Sequence, residues 1–308
     1  MLSIFQKTIA KTISFKGIGL HTGLKSKISL VPQEGNQGIV FKRIDLKENN
    51  IIEANFKNVS SAKLCTTLKN IFGVSVSTVE HLLAALYITG VDNVLIEIDN
   101  GEVPIMDGSS KEFVNVINKT GTKSLSEKRK YLKILKKVEL KESEKFISIE
   151  PNQESLEVDF ELGYSNDLIG NQRNKKNFTN DDLTDVYASR TFCLFEDIEN
   201  IKKIGLAKGG SLDNAVVVKG KEVLNEGGLR NGKEFVNHKI LDLVGDFLLS
   251  GYRILGNVKC TQGGHSLSNT FLKSIFSNSE NFIEFEINNK NLDKRVFKIV
   301  ENKLAVNA

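Results

Sequence analysis

The segment Phe235–Leu249 constrains this chain more than any other. At about 100° per residue, His238, Asp242 and Asp246 fall within about 80° of one another, while Ile240, Leu241, Leu243, Val244, Phe247 and Leu248 fill the rest of the circumference. A helix that is apolar nearly all round is expected to be buried. A buried carboxylate without a partner is costly, so this stripe requires a cation or a network of donors. A metal ion meets that need with the fewest extra groups. A simple i, i+4 pair between His238 and Asp242 on a partly wet face is the alternative that this helix alone leaves open.

A second histidine in a similar setting favours the metal. His81 lies near the start of the apolar run His81-Leu82-Leu83-Ala84-Ala85-Leu86, which follows Ser77-Thr78-Val79-Glu80 and stops near Gly90. Two histidines and an aspartate, with no thiolate and a fourth position free for water, are the donor set of a catalytic zinc site. Glu80 then has two readings. It could take a proton from the water, or it could cap its own helix, because Ser77-x-x-Glu80 has the form of a capping box.

Three further segments carry weaker signals. In Gly263-Gly264-His265-Ser266, two glycines free the backbone before a histidine suited to protonating a leaving nitrogen. In Ser189-Arg190-Thr191-Phe192, the threonine hydroxyl could stabilise an oxyanion. His21 sits in Gly17-Ile18-Gly19-Leu20-His21-Thr22-Gly23, whose GxGxxxG spacing, with no helix pattern after it, is not that of a dinucleotide loop. It reads as a turn residue bordering the site.

Composition narrows the class. With 308 residues, 40% hydrophobic and 26% charged, the chain is an ordinary globular protein of a length that predicts two domains. The net charge of +4 is spread over lysines interleaved with glutamates, so nucleic acid is not an expected partner, whereas a small anionic substrate or transient contact with a membrane surface is compatible. No apolar run is long enough to span a membrane and Lys7 and Lys11 interrupt the first residues, so a cytoplasmic address is expected. Cys65, Cys193 and Cys260 form no CxxC pair and are expected to be reduced and mostly buried.

Strands are predicted at Ile28–Val31, Gly38–Phe41, Val94–Ile98, Tyr131–Leu140, Phe146–Ile149 and Leu156–Leu162, with helices at Ser77–Gly90, Ser110–Ile117 and about Lys233–Leu249. The charged stretch from Asn118 to Lys130 is read as the domain boundary. Strands followed by helices therefore occur twice, which gives an α+β class with domains over 1–124 and 125–308.

In this order, Gly17–Gly23, Ser77–Leu82, Pro104-Ile105-Met106-Asp107-Gly108-Ser109, Ser189–Phe192, His238–Asp242 with Gly245-Asp246, and Gly264-His265 resemble the UDP-3-O-acyl-N-acetylglucosamine deacetylases of Gram-negative bacteria. The resemblance implies two similar α+β domains forming a two-layer sandwich, with the active site between them. It implies zinc held by His81, His238 and Asp242, Glu80 as general base, His265 as general acid and Thr191 as oxyanion donor. Lys239 and Asp246 would support them, Asp246 by orienting His265. An insert at about 193–218 would line a passage for the substrate's acyl chain, which Phe195 suits, with Phe192, Leu194, Ile198, Ser211, Ala215, Val217 and His21 as contacts. The substrate implied is an acylated UDP-sugar, the reaction is the committing deacetylation of lipid A synthesis, and a monomer is expected. Two departures bear on nucleotide binding: Gly163-Tyr164-Ser165 replaces an Asn-His-Pro stretch, and Gln262 stands where a basic residue is expected. A zinc amidase for another acylated sugar or peptide is the nearest rival, and a non-catalytic binding protein would be expected to have lost Glu80 or His265. The HExxH helix of common metalloproteases is absent.

Overall fold

A computed structural model describes residues 2–287; the end of the second expected domain, 288–308, lies outside the described residues. The protein is a mixed α+β structure. Alternation of apolar and polar residues makes the strands. In Val94–Ile98, Val94, Ile96 and Ile98 point inward, and in Leu156–Gly163, Leu156, Val158, Phe160 and Leu162 do so. One sheet has the spatial order Ile13–Ile18, Lys25–Pro32, Val94–Ile98, Ile39–Arg43, Ile51–Glu53. The other large sheet is organised on the long strand Arg253–Thr261, which pairs with Lys145–Pro151, Leu156–Gly163 and Lys130–Ile134.

Helices α1 (Glu80–Thr89), α2 (Lys111–Thr120), α3 (Thr184–Tyr187), α4 (Ile198–Lys203), α5 (Glu234–Leu248) and α6 (His265–Phe276) complete the framework. Every residue of α5 except Lys239 is buried, as its all-round apolar pattern predicts. Leu82, Leu83 and Leu86 of α1, Leu241, Val244 and Leu248 of α5, and Phe271 and Ile275 of α6 belong to one continuous core. Each such side chain contributes about 1.5–3 kcal/mol by leaving water. The approach of α1 to α5 depends on Gly245, where an added Cβ would lie 2.2 Å from the Glu80 carbonyl oxygen.

Two local expectations are corrected, and the stretch between them has structure of its own. Tyr131–Leu140 is not one strand but two, Lys130–Ile134 and Val138–Glu142, in separate positions of the sheet; the exposed Leu135-Lys136-Lys137 carries the chain between them. The charged stretch read as a boundary contains the strand Thr122–Lys128, which pairs antiparallel with Phe5–Ile9. Its lysines, serines and one glutamate suit the open face of a two-stranded ribbon, which leaves no apolar alternation to detect. Finally, Ser77 and Glu80 make no capping box. Helix α1 starts after Val79 without a side-chain cap, and the Ser77 hydroxyl donates to the Gly101 carbonyl instead. The left-handed Thr78 (φ 58°) turns the chain between strand Ser75–Ser77 and the helix. No described helix is long and apolar enough to cross a membrane.

Candidate metal centre and active site

Helices α1 and α5 cross so that His81, His238 and Asp242 meet in the buried interior, with their ligand atoms all within 4.8 Å of one another. Asp242 Oδ1 lies 3.5 Å from His81 Nε2 and 3.4 Å from His238 Nε2. The Nδ1 of His238 lies 3.2 Å from the Ser189 carbonyl, which can only accept, so Nδ1 carries the proton and Nε2 turns a lone pair toward the carboxylate. Burial pushes the His238 imidazole down to about 3, so it is neutral. Burial alone would raise the Asp242 carboxyl. The Lys239 ammonium, 2.9 Å from Oδ2, is the charged partner that holds it well below its ordinary range. Asp242 Oδ1 has no hydrogen-bond partner although it is buried. A buried carboxylate oxygen facing a nitrogen lone pair is repulsive unless a cation lies between them. The donor set of two imidazoles and one carboxylate therefore fits a zinc ion with an open position.

Glu80 and His265 flank this cluster. Glu80 Oε2 accepts from the Thr66 backbone N–H (3.0 Å), and Oε1 lies 3.9 Å from His265 Nε2. Burial raises the Glu80 carboxyl. Burial would depress His265, but Asp246 and then Glu80 outweigh it and lift the imidazole to about 10. The contact to Asp246 is direct, 2.9 Å from Nδ1 to Oδ2, and the other Asp246 oxygen accepts from the Thr66 hydroxyl at 2.6 Å. Thr66 thus ties together both carboxylates that face His265. Sequence reasoning missed it because a threonine in the strand-to-strand stretch Lys63-Leu64-Cys65-Thr66 carries no pattern of its own.

The remaining motifs are scaffolding for the same site. Glu102, also missed, is buried and accepts from the backbone of His21 and Thr22 and from the hydroxyls of Thr22 and Thr78, fastening the Gly17–Gly23 loop to the start of α1. Ser110 donates to the His81 carbonyl. Arg190 forms a buried pair with Glu234 at the start of α5, at 2.7 Å, so that Ser189 and Thr191 are held against the helix bearing His238. The Thr191 N–H donates to the carbonyl of Gly108, where a Cβ would clash with the Asn214 oxygen at 2.1 Å.

Two cavities meet at Thr191 and Phe192. A cleft of about 890 Å³ is lined by those residues with Lys239, Gly264 and His265 and extends past Tyr164 and Gln262. An apolar passage of about 340 Å³ is lined by Phe192, Ile198, Ser211, Ala215, Val217 and His21, all expected there. Phe195, also expected, lines it too, and Leu20, Ile201 and Leu212 do so without having been anticipated. Leu194 packs against the main core, next to Phe195, which lines the passage. His21 is buried, with burial lowering its imidazole, and its Nδ1 accepts from the Ala207 N–H.

A family model described as LpxC, UDP-3-O-acyl N-acetylglycosamine deacetylase, matches residues 6–277. The chain belongs to this deacetylase family. It is 42% identical over 285 residues to a protein of Citrifermentans bemidjiense named UDP-3-O-acyl-N-acetylglucosamine deacetylase, covering 92% of this chain and 93% of that one. Proteins of the same name from Geotalea uraniireducens (41% over 278 residues, 90% of each) and Pseudoalteromonas translucida (40% over 277 residues, 89% and 91%) are similar over the same extent. The family match covers both helices of the buried cluster and both cavities.

Proposed function

We propose that this chain is a zinc-dependent deacetylase that hydrolyses the N-acetyl group of UDP-3-O-[(3R)-3-hydroxyacyl]-N-acetylglucosamine to acetate and the free-amine UDP-3-O-acyl-glucosamine, the committed step of lipid A biosynthesis. The observation that carries this reading is the convergence of His81 Nε2, His238 Nε2 and the unpartnered Asp242 Oδ1 beside Glu80 and His265. His81, His238 and Asp242 would hold the zinc, which when bound polarises the amide carbonyl and acidifies water. The Glu80 carboxylate accepts the proton of the attacking water. Thr191 is at the junction of the cavities, where its hydroxyl can donate to the developing oxyanion, with Lys239 adding positive charge. His265, kept protonated by Asp246, gives its proton to the departing amine nitrogen. The apolar passage takes the acyl chain and the wider cleft takes the sugar nucleotide.

The site then lies between two domains, whose boundary the sequence alone sets at 124/125. Because Thr122–Lys128 pairs with Phe5–Ile9, we place the boundary after Lys128. The enzyme is proposed to act as a cytoplasmic monomer that meets its lipid substrate by transient contact with the membrane surface. Acetate release from the purified protein supplied with this substrate tests the reading. Release that is abolished by a chelator, restored by zinc and lost in Glu80→Ala is expected; no release from fully metallated protein would refute it.

A further inference from the structure

The passage and the cleft branch at Thr191 and Phe192, so a substrate whose acetamide lies beside Glu80 and whose acyl chain enters the passage must send its third arm along the rest of the cleft. That arm ends among Lys63, Glu144, Lys145, Tyr164 and Gln262. The inference that follows rests on the proposed function, in which this arm carries a nucleoside diphosphate.

A diphosphate needs cations, and two of the polar groups in the cleft are already committed. The Lys239 ammonium is bound to Asp242. Gln262 is neutral, and both ends of its amide are used: Oε1 accepts from the Gly163 N–H at 3.0 Å and Nε2 donates to the Gly163 carbonyl at 2.5 Å. Position 262 thus offers neither charge nor a free donor. Lys63 and Lys145, by contrast, make no ion pair among the described residues while lining the same cleft.

Lys63 is also well placed mechanically. It belongs to the short connection between strands Val59–Ser61 and Thr67–Lys69, three residues before Thr66. Thr66 is bonded to Glu80 through its N–H and to Asp246 through its hydroxyl. The segment that carries this ammonium is therefore fastened to the two carboxylates on either side of His265, which fixes its reach relative to the reacting acetamide.

We infer that Lys63 binds the diphosphate of the sugar nucleotide and supplies the cation that Gln262 does not. Lys63 is exposed, so its contribution is one of substrate affinity, equal in the ground and transition states. A charge-assisted contact of an exposed ammonium to phosphate corresponds to a change of about five- to tenfold.

The test is calorimetric binding of UDP to the zinc-loaded full chain, compared among wild type, Lys63→Met, Lys63→Arg and Lys47→Met. Lys47→Met removes the same charge from a loop that does not line the cleft. The inference predicts that UDP binds wild type and Lys47→Met equally, Lys63→Met about five- to tenfold more weakly and with a shallower salt dependence, and Lys63→Arg nearly as well as wild type. Equal affinity of Lys63→Met and wild type, or no UDP binding by wild type, would overturn it. The outcome is separable from that of the proposed function, which acetate release decides. An enzyme that releases acetate while Lys63→Met binds UDP normally would retain the function and lose this inference.

Discussion

The α1–α5 crossing and the apolar passage lie side by side and are built on opposite principles. At the crossing, charged groups are packed into a dry interior, Gly245 lets two helices touch, and Asp242 Oδ1 and His81 Nδ1 are buried without a partner. In the passage, Phe195 and Leu212 are exposed and the lining is made by short elements such as α4, with no buried residue of its own. Chemistry at a carbonyl requires groups fixed within fractions of an ångström in a low dielectric. Holding an acyl chain requires only apolar area of roughly the right shape. The two regions should therefore respond differently to substitution.

The largest effect is expected from Glu80→Ala and His265→Ala, each lowering kcat by about 10²–10⁴-fold with little change in KM or in far-UV circular dichroism. A kcat that falls less than tenfold in either variant would remove these residues from proton transfer. Gly245→Ala should lower stability by about 1–3 kcal/mol or more in thermal denaturation and reduce kcat as well, since the new methyl group displaces the backbone of Glu80 itself. An unchanged melting temperature would show that the helices have room to separate.

The pH dependence sharpens the same contrast. Because His265 is lifted from its ordinary 6.5 to about 10, its acid form persists through neutrality and is lost only as pH rises through about 10. The stability this group contributes is complete below about 6.5 and is lost over the same rise to about 10. Asp246→Asn removes its main charged partner, so the alkaline limb of the rate profile should move to lower pH. A limb left in place would assign that limb to another group. The smallest effect is expected in the passage: Ile198→Ala should change stability by less than about 1 kcal/mol while raising KM severalfold for substrates with long acyl chains. Equal effects on short and long chains would place the acyl group elsewhere.

The same contrast governs what could be read from the sequence. The buried crossing was legible because a His/Asp/Asp stripe on an otherwise apolar helix cannot be explained by packing, and α5 runs within a residue of its predicted limits. Partners that come from remote segments were not legible. Thr66 and Glu102 act through single hydrogen bonds across the fold, and neither residue type nor spacing announces that role. Local pattern also misled where tertiary contacts outweighed it. Ser77-x-x-Glu80 has the form of a capping box, but strand pairing holds Ser77 and the Thr66 N–H engages Glu80. The polar run Thr122–Lys128 forms a strand because its partner, Phe5–Ile9, supplies the buried residues. In the passage, the resemblance pointed to Phe192, Phe195, Ile198, Ala215 and Val217, whereas Leu20, Ile201 and Leu212 were missed because apolar content does not show where a chain turns.

Metal content tests the central claim most directly. Purified wild type and Asp242→Ala, dialysed against trace zinc and measured by elemental analysis, should differ: about one tightly held zinc per wild-type chain, and a large loss in the variant at unchanged secondary structure. Equal metal content in the two proteins would mean that His81, His238 and Asp242 form a salt-bridged core and not a metal centre.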